Sequence, residues 1–199
     1  MNKTIAYYDM HADEYFEQTC GVDFSDAYGR FLKYIPAGGS IVDLGCGSGR
    51  DTAWFTAHGY QAIGVDASEK MVELACERLH IQAQVARMED WIAETPFDGI
   101  WCCASLLHLD DEALRSFFEH LAVNLKEGGA LFISVKTGIR SGDDSLGRYM
   151  VDFSEQKLEG LHSYCKGLTI EEIWYTRDEL GRDAFRWMNA ILRRINRRR

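Results

Sequence analysis

The stretch Ile41-Val42-Asp43-Leu44-Gly45-Cys46-Gly47-Ser48-Gly49-Arg50 constrains the fold more than any other part of the chain. A short run of strand character meets three glycines at alternate positions, and an amphipathic segment over 51–58 follows. An apolar strand that ends in glycines and passes straight into a helix lets the backbone approach a ligand closely. It also aims the first helical amides at that ligand. Strand, loop and helix are the opening of a βαβ unit, so the stretch predicts a parallel sheet.

The rest of the chain follows the same alternation. Apolar runs of strand length recur at 40–44, 61–65, 82–86, 99–104 and 130–136, with amphipathic stretches at 51–58, 69–80 and 111–126 between them. In the last stretch Leu114, Phe117, Phe118, Leu121 and Leu125 repeat along one helical face. Asp110 is its expected N-cap and Gly128-Gly129 its expected end. Runs apolar on both faces, separated by helices, give an α/β, doubly wound fold. Helices are predicted at 4–18 and 25–34, before the turn Pro36-Ala37-Gly38-Gly39. The segment 137–147 is rich in Gly, Ser and Asp and reads as a mobile loop. A helix is expected over 154–164 and a strand over 168–175. The segment 184–192 has two readings: Phe185, Trp187 and Ile191 suit a buried strand, its arginines a terminal helix.

With 199 residues, the expectation is a single domain, 1–39 serving as a helical lid on a sheet region at 40–199. A net charge of −9 argues against a general binder of nucleic acid or anionic membrane. Arg193, Arg194, Arg197, Arg198 and Arg199 are the exception. Cys20, Cys46, Cys76, Cys102, Cys103 and Cys165 lack zinc-site spacing, and reduced thiols in a cytoplasmic protein are expected. No apolar run approaches the roughly 18 residues of a membrane span.

Dinucleotide enzymes use Gly-x-Gly-x-x-Gly, the last glycine allowing tight helix–strand contact. Here Arg50 holds that position, the spacing is Gly-x-Gly-x-Gly, and Asp43 precedes the first glycine by two. A second acid, Asp66, ends the second strand run 21 residues after Gly45. An acid there accepts hydrogen bonds from a ribose diol, or caps the helix beginning at Ser68.

Val42-Asp43-Leu44-Gly45-Cys46-Gly47-Ser48-Gly49 resembles the first motif of the class I S-adenosylmethionine-dependent methyltransferases, and Gly64-Val65-Asp66-Ala67 their second. The resemblance implies S-adenosylmethionine as cofactor. Asp43 and the loop at Gly45, Cys46 and Gly47 would face its amino-acid tail, and Asp66 with Ala67 its ribose. Met71 is implied as an adenine neighbour, a core methionine being the alternative. Arg87-Met88-Glu89-Asp90 is similar to the family's adenine-flanking Asp-Met-x-Asp. Met88 and Glu89 carry over, whereas Arg87 stands where an acid is common. Cys103, Ala104 and Ser105 are implied at the sulfonium and methyl group. His108 is implied as general base or substrate contact, or else as a structural histidine on a loop backbone.

The start of the chain, Tyr7-Tyr8 to Tyr15-Phe16, is similar to the lid of small tellurite-resistance-like and generic small-molecule methyltransferases. Tyr15 and Thr19 are then lid residues, and Arg30 pairs with the cofactor carboxylate. Segments 170–176 and 186–193 look like the family's last two strands. They complete a seven-stranded, mostly parallel sheet with an antiparallel C-terminal hairpin strand and leave 194–199 as a solvated tail. Tyr7, Tyr8, Lys136, Arg140 and Tyr149 join His108 as expected neighbours of the acceptor, and Arg148 and Tyr149 follow the Gly-rich loop, which is expected to order on substrate binding. The implied activity is in-line methyl transfer to a small-molecule acceptor by a monomer or homodimer, with no nucleic acid or membrane partner. The competing readings are a nucleic-acid-modifying enzyme using the arginine tail, a non-catalytic cofactor-binding protein, and a nicotinamide oxidoreductase.

Overall fold

The computed structural model describes residues 2–178 and 185–195. Helices α1 (Lys3–Met10), α2 (Ala12–Thr19) and α3 (Ser25–Phe31) precede β1 (Ser40–Leu44). The alternation then runs α4 (Arg50–Ala57), β2 (Gln61–Asp66), α5 (Glu69–Leu79), β3 (Ala83–Val85), β4 (Phe97–Cys103), α6 (Asp111–Asn124) and β5 (Leu125–Thr137). A small hairpin, β6 (Gly142–Asp143) and β7 (Tyr149–Met150), leads to α7 (Glu155–His162), β8 (Leu168–Thr176) and β9 (Arg186–Arg194). The seven-stranded sheet has the order β3-β2-β1-β4-β5-β9-β8, and only β9 runs antiparallel to its neighbours. The order reverses between β1 and β4, where an open α/β sheet leaves a crevice at its carboxyl edge.

Strand alternation divides the core in two. On one face Val42, Leu44, Ile100, Leu131, Ile133, Val135, Met188 and Ala190 pack on α6 and α7 through Leu114, Phe117, Phe118, Leu121 and Leu158. On the other, Ile41, Trp101, Phe132 and Ile191 meet Tyr28 and Phe31 of α3 and Phe55 of α4. Each buried aromatic contributes roughly 2–3 kcal/mol of transfer free energy.

Four sequence expectations change. The helix expected over 4–18 is two, because His11 turns its Nδ1 onto the Tyr7 carbonyl at 2.9 Å and stacks on the Tyr7 ring. Helix α6 has Asp110 as N-cap, accepting from Ala113 N, but ends at Asn124 rather than at Gly128-Gly129. Leu125 is drawn into the sheet beside Phe97 and is fully buried. Asn124 is pinned by Ala93 N and Trp91 O. The glycines instead lie within β5, where a Cβ on Gly129 would stand 2.8 Å from Asp98 O.

The expected loop over 137–147 contains the β6–β7 hairpin. Asp144 Oδ1 accepts from Leu146 N and Arg148 N, and Asp152 Oδ1 from Gly138 N. The ambiguous C-terminal segment is strand. Arg193 donates to Gly128 O at 3.1 Å and Arg194 to Leu125 O, so Arg194 is part of β9 and not of a solvated tail. Residue 184 and the arginines at 197–199 lie outside the described residues. All six cysteines are free thiols. No helix among the described residues is long and apolar enough to cross a membrane.

Candidate active site

The glycine loop is held by geometry that side chains would spoil. Gly45, Gly47 and Gly49 all have positive φ, 78°, 50° and 76°, which residues with a Cβ rarely adopt. At Gly45 a Cβ would also lie 2.3 Å from Ser105 Cβ and 2.8 Å from Met88 Cε. The loop is tied down from below by Gly45 N and Cys46 N, both donating to Val65 O.

Above the loop lies a cavity of about 460 Å³, within the usual range for a small-molecule site. Tyr15, Thr19, Gly45, Cys46, Gly47, Asp66, Ala67, Met71, Met88, Glu89, Cys103, Ala104, Ser105 and His108 all line it. They come from α2, the ends of β1, β2 and β4, the start of α5 and the turn after β3. Asp66 Oδ2 accepts from Gly47 N at 2.8 Å and Oδ1 from Ser68 N at 2.9 Å. Burial pushes its carboxyl upward, against the pull of those amides. Thr19 Oγ1 reaches Ser48 Oγ at 3.1 Å, fastening α2 to the loop. Ala104 has φ 58° and donates its N–H to Ser134 O. A non-glycine residue in that conformation marks strain kept at a working site.

Two expected site residues lie elsewhere. Asp43 sits beneath the loop, 1% exposed, and accepts from Thr52 Oγ1 at 2.8 Å. Burial, then the charge of Asp51, raises its carboxyl well above the ordinary value. It braces β1 against α4 and does not line the cavity. Arg30 leaves α3 on the side away from Ala27, Tyr28 and Phe31, which face the sheet. It pairs with Asp26 at 2.9 Å and Glu172 at 3.1 Å and stacks over Trp174.

Arg50, unlike Arg30, lines the cavity. Its guanidinium forks onto Asp51 (Nε–Oδ1 2.5 Å, Nη2–Oδ2 2.8 Å) and lies 4.2 Å from the Phe24 ring. Asp51 also accepts from Tyr28 Oη and Trp101 Nε1. Burial alone would raise the Asp51 carboxyl, but Arg50 and these donors hold it below its ordinary value.

The cavity continues past β4 over the hairpin end of the sheet. Cys103 pairs with Ser134, Ser134 with Asn189 and Asn189 with Trp174; one step on, Lys136 pairs with Trp187 and Trp187 with Thr176. These two rows form its floor. Cys103 and Lys136 were expected here, whereas Ser134, Asn189, Trp174, Trp187 and Thr176 were missed in the sequence, although the spacing of Trp187 and Asn189 along a strand puts both on one face. Tyr7, Tyr8, His108, Lys136 and Arg148 line this end, whereas Arg140 and Tyr149 do not.

His108 Nδ1 lies 2.8 Å from Tyr149 O and Nε2 2.9 Å from Tyr8 Oη. A carbonyl only accepts, so Nδ1 carries the proton and Nε2 accepts from the tyrosine hydroxyl. Burial lowers the His108 pKa to about 4, and the charges of Arg148 and Lys136 act in the same direction. Both ring nitrogens are therefore engaged, Nδ1 with the Tyr149 carbonyl and Nε2 with the Tyr8 hydroxyl. Arg148 Nη1 reaches Tyr8 Oη at 3.4 Å while Nε and Nη2 fork onto Asp144.

Comparison with known proteins agrees with this architecture. Residues 41–129 match the family described as methyltransferase domain. The ubiquinone biosynthesis O-methyltransferase of Xanthomonas axonopodis pv. citri (strain 306) is 32% identical over 117 residues, covering 52% of this chain and 47% of that protein. The chain spans about half the length of the curated relatives it matches. Burkholderia thailandensis 1,6-didemethyltoxoflavin-N1-methyltransferase, solved with 1,6-didemethyltoxoflavin and S-adenosylhomocysteine, superposes with a TM-score of 0.75 at 18% identity, over 96% of this chain and 88% of that one. The TehB-like S-adenosylmethionine-dependent methyltransferase of Corynebacterium glutamicum ATCC 13032 Kitasato superposes with a TM-score of 0.70 at 17% identity, over 93% and 98%. Over residues 41–129 the chain thus matches the methyltransferase-domain family in sequence, and over nearly its whole length it shares the fold of these solved methyltransferases.

Proposed function

We propose that the protein transfers the methyl group of S-adenosylmethionine to a small-molecule acceptor. The observation that carries this reading is the convergence of the Gly45–Gly47 backbone, the Asp66 carboxylate and the Met88 side chain on one cavity. These groups suit the parts of the cofactor. Asp66 has lone pairs left for a ribose diol after its two amide contacts. Ala67, Met71 and Met88 offer apolar surface to adenine, with Glu89 beside them. Arg50, not Arg30, is the cation placed to meet the cofactor's carboxylate. Cys46 and the loop carbonyls suit its ammonium, and Tyr15 and Thr19 close the cavity from α2.

When bound, S-adenosylmethionine supplies an electrophilic methyl carbon: the acceptor's lone pair forms the new bond as the carbon–sulfur bond breaks and its electrons stay on sulfur. The chain's own work is alignment and exclusion of water, which in well-oriented reactions lowers a barrier by several kcal/mol. Cys103, Ala104 and Ser105 form the wall where the two reactants meet. The thiol of Cys103 is pushed up by burial and by the charge of Asp51, so it stays protonated and does not compete as an acceptor. The room left beside the cofactor is part of a 460 Å³ cavity, which favours a small acceptor over a macromolecule.

The test is production of S-adenosylhomocysteine from S-adenosylmethionine on a panel of hydroxyl, thiol, amine and metalloid acceptors. Turnover on at least one is expected. Folded protein that binds the cofactor and methylates none of them favours a binding protein on the same fold.

A further inference from the structure

On the α3 side of the sheet, the row Trp101, Phe132 and Ile191 is apolar and fully buried. Two residues on, toward the carboxyl ends of β4 and β5, the same face carries Cys103, Ser134 and Asn189. Ser134 is the one polar residue in 131–135, and Asn189 the one polar residue in 188–192. Both stay buried all the same, at 1% and 3% exposure, and both line the cavity. A polar group at such a place weakens the fold unless something hydrogen-bonds it.

The chain satisfies only part of this pair. Asn189 Nδ2 donates to Thr176 Oγ1 at 3.1 Å and to Trp187 O at 3.5 Å. A carbonyl only accepts, which puts the amide nitrogen on that side and leaves Oδ1 on the other. Among the described residues, no donor reaches Asn189 Oδ1 and no group pairs with Ser134 Oγ.

We propose, on the methyltransferase reading above, that Ser134 and Asn189 are the specificity-determining pair for the acceptor, which binds them through an uncharged N–H or O–H donor. Asn189 Oδ1 accepts that donor. The Ser134 hydroxyl, opposite it on the neighbouring strand, meets the adjoining polar atom. The row itself carries no charge, and an ionised group placed on it would exchange water for neutral partners alone, at a far higher cost than a neutral donor. The charged residues beyond it have contacts of their own: Arg148 forks onto Asp144, and Lys136 lies over the Phe185 and Trp187 rings. A look-alike without the donor is rejected, because it leaves Asn189 Oδ1 buried and unpaired.

The test has two arms on the intact protein. In urea unfolding, Asn189→Leu is expected to keep or raise the midpoint, since a polar residue retained for binding is not there for stability. A lowered midpoint assigns Asn189 to the fold and overturns the proposal. In the second arm, protein saturated with S-adenosylhomocysteine is titrated with 2-pyridone, a flat neutral N–H donor, and with N-methyl-2-pyridone, which lacks that donor. The wild type is expected to bind 2-pyridone about tenfold more tightly than its methylated analogue. Asn189→Leu is expected to bring the two within about twofold, and Ser134→Ala to weaken 2-pyridone binding about fivefold. Equal affinity of the two pyridones for the wild type, no binding of either, discrimination that survives Asn189→Leu, or tighter binding of benzylammonium than of 2-pyridone overturns the proposal. Failure of the wild type to bind S-adenosylhomocysteine overturns the methyltransferase reading instead, and is seen before any probe is added.

Discussion

Asp66 does two jobs with one carboxylate. It accepts the Gly47 and Ser68 amides, fixing the glycine loop and the start of α5, and it faces the cavity. Asp66→Ala removes the loop support and, with it, the carboxylate proposed to accept from the ribose. Charge-assisted hydrogen bonds of this kind are worth about 1.5–3 kcal/mol each. S-adenosylhomocysteine affinity is therefore expected to fall by a factor of about ten to a few hundred, measured by calorimetry on protein whose circular dichroism is unchanged. Gly45→Ala acts on folding: its Cβ would lie 2.3 Å from Ser105 Cβ at a positive φ. A loss of at least about 2 kcal/mol is expected in urea unfolding, and a loss below 0.5 kcal/mol would contradict the packing described.

Asp66 was legible in the sequence because strand end, spacing and side-chain chemistry all coincide there. The placement of Arg30 away from the cavity was not. Which way an arginine leaves its helix depends on which face the helix buries, and Tyr28 and Phe31 turn α3 so that Arg30 meets Glu172.

Among the elements, α1 and the β6–β7 hairpin hold each other across the cavity mouth. Tyr149 N donates to Thr4 Oγ1 at 2.9 Å, Lys3 pairs with Asp143, and Tyr8 bonds His108. Ser68 Oγ donates to Asp9 Oδ1, joining α1 to α5 as well. The hairpin was invisible as structure in a Gly-, Ser- and Asp-rich stretch, because its order comes from Asp144 and Asp152 capping backbone amides and from α1 packing over it. Helix α6 was legible by period, yet its end was misplaced, since the pull of β5 pairing on Leu125 is a tertiary effect.

His108 gives this region a pH signature. Its folded pKa of about 4 lies below the ordinary 6.5, so the unfolded chain takes up the proton first. The stability His108 confers is full above pH 6.5 and is lost as pH falls toward 4. Urea unfolding is expected to show the wild type losing up to about 1 kcal/mol per pH unit more than His108→Gln across this window. Parallel curves for the two proteins would remove His108 from a buried, neutral role.

At the scale of the whole molecule, one sheet carries both ends of the cavity. The carboxyl ends of β1, β2 and β4 carry the glycine-lined end with Asp66, and β5, β9 and β8 carry the end with Ser134, Lys136, Asn189, Trp187 and Trp174. The parallel part was written in the apolar runs and glycines. The floor at the β5–β9–β8 end was not, because Ser134, Asn189 and Trp174 become neighbours only through the register of an antiparallel strand inserted between two parallel ones.

Since the cavity draws on nearly every strand, a ligand that fills its cofactor half stabilises the entire fold. S-adenosylhomocysteine at 100 times its Kd is expected to add about 2.7 kcal/mol. That corresponds to a rise in Tm of roughly 5–10 °C for a chain of this size. The most direct measurement is calorimetric titration of the folded protein with S-adenosylhomocysteine and, in parallel, with NADH. The account predicts saturable binding of one S-adenosylhomocysteine per chain and none of NADH. No heat and no saturation with S-adenosylhomocysteine, in protein that unfolds cooperatively, would contradict it.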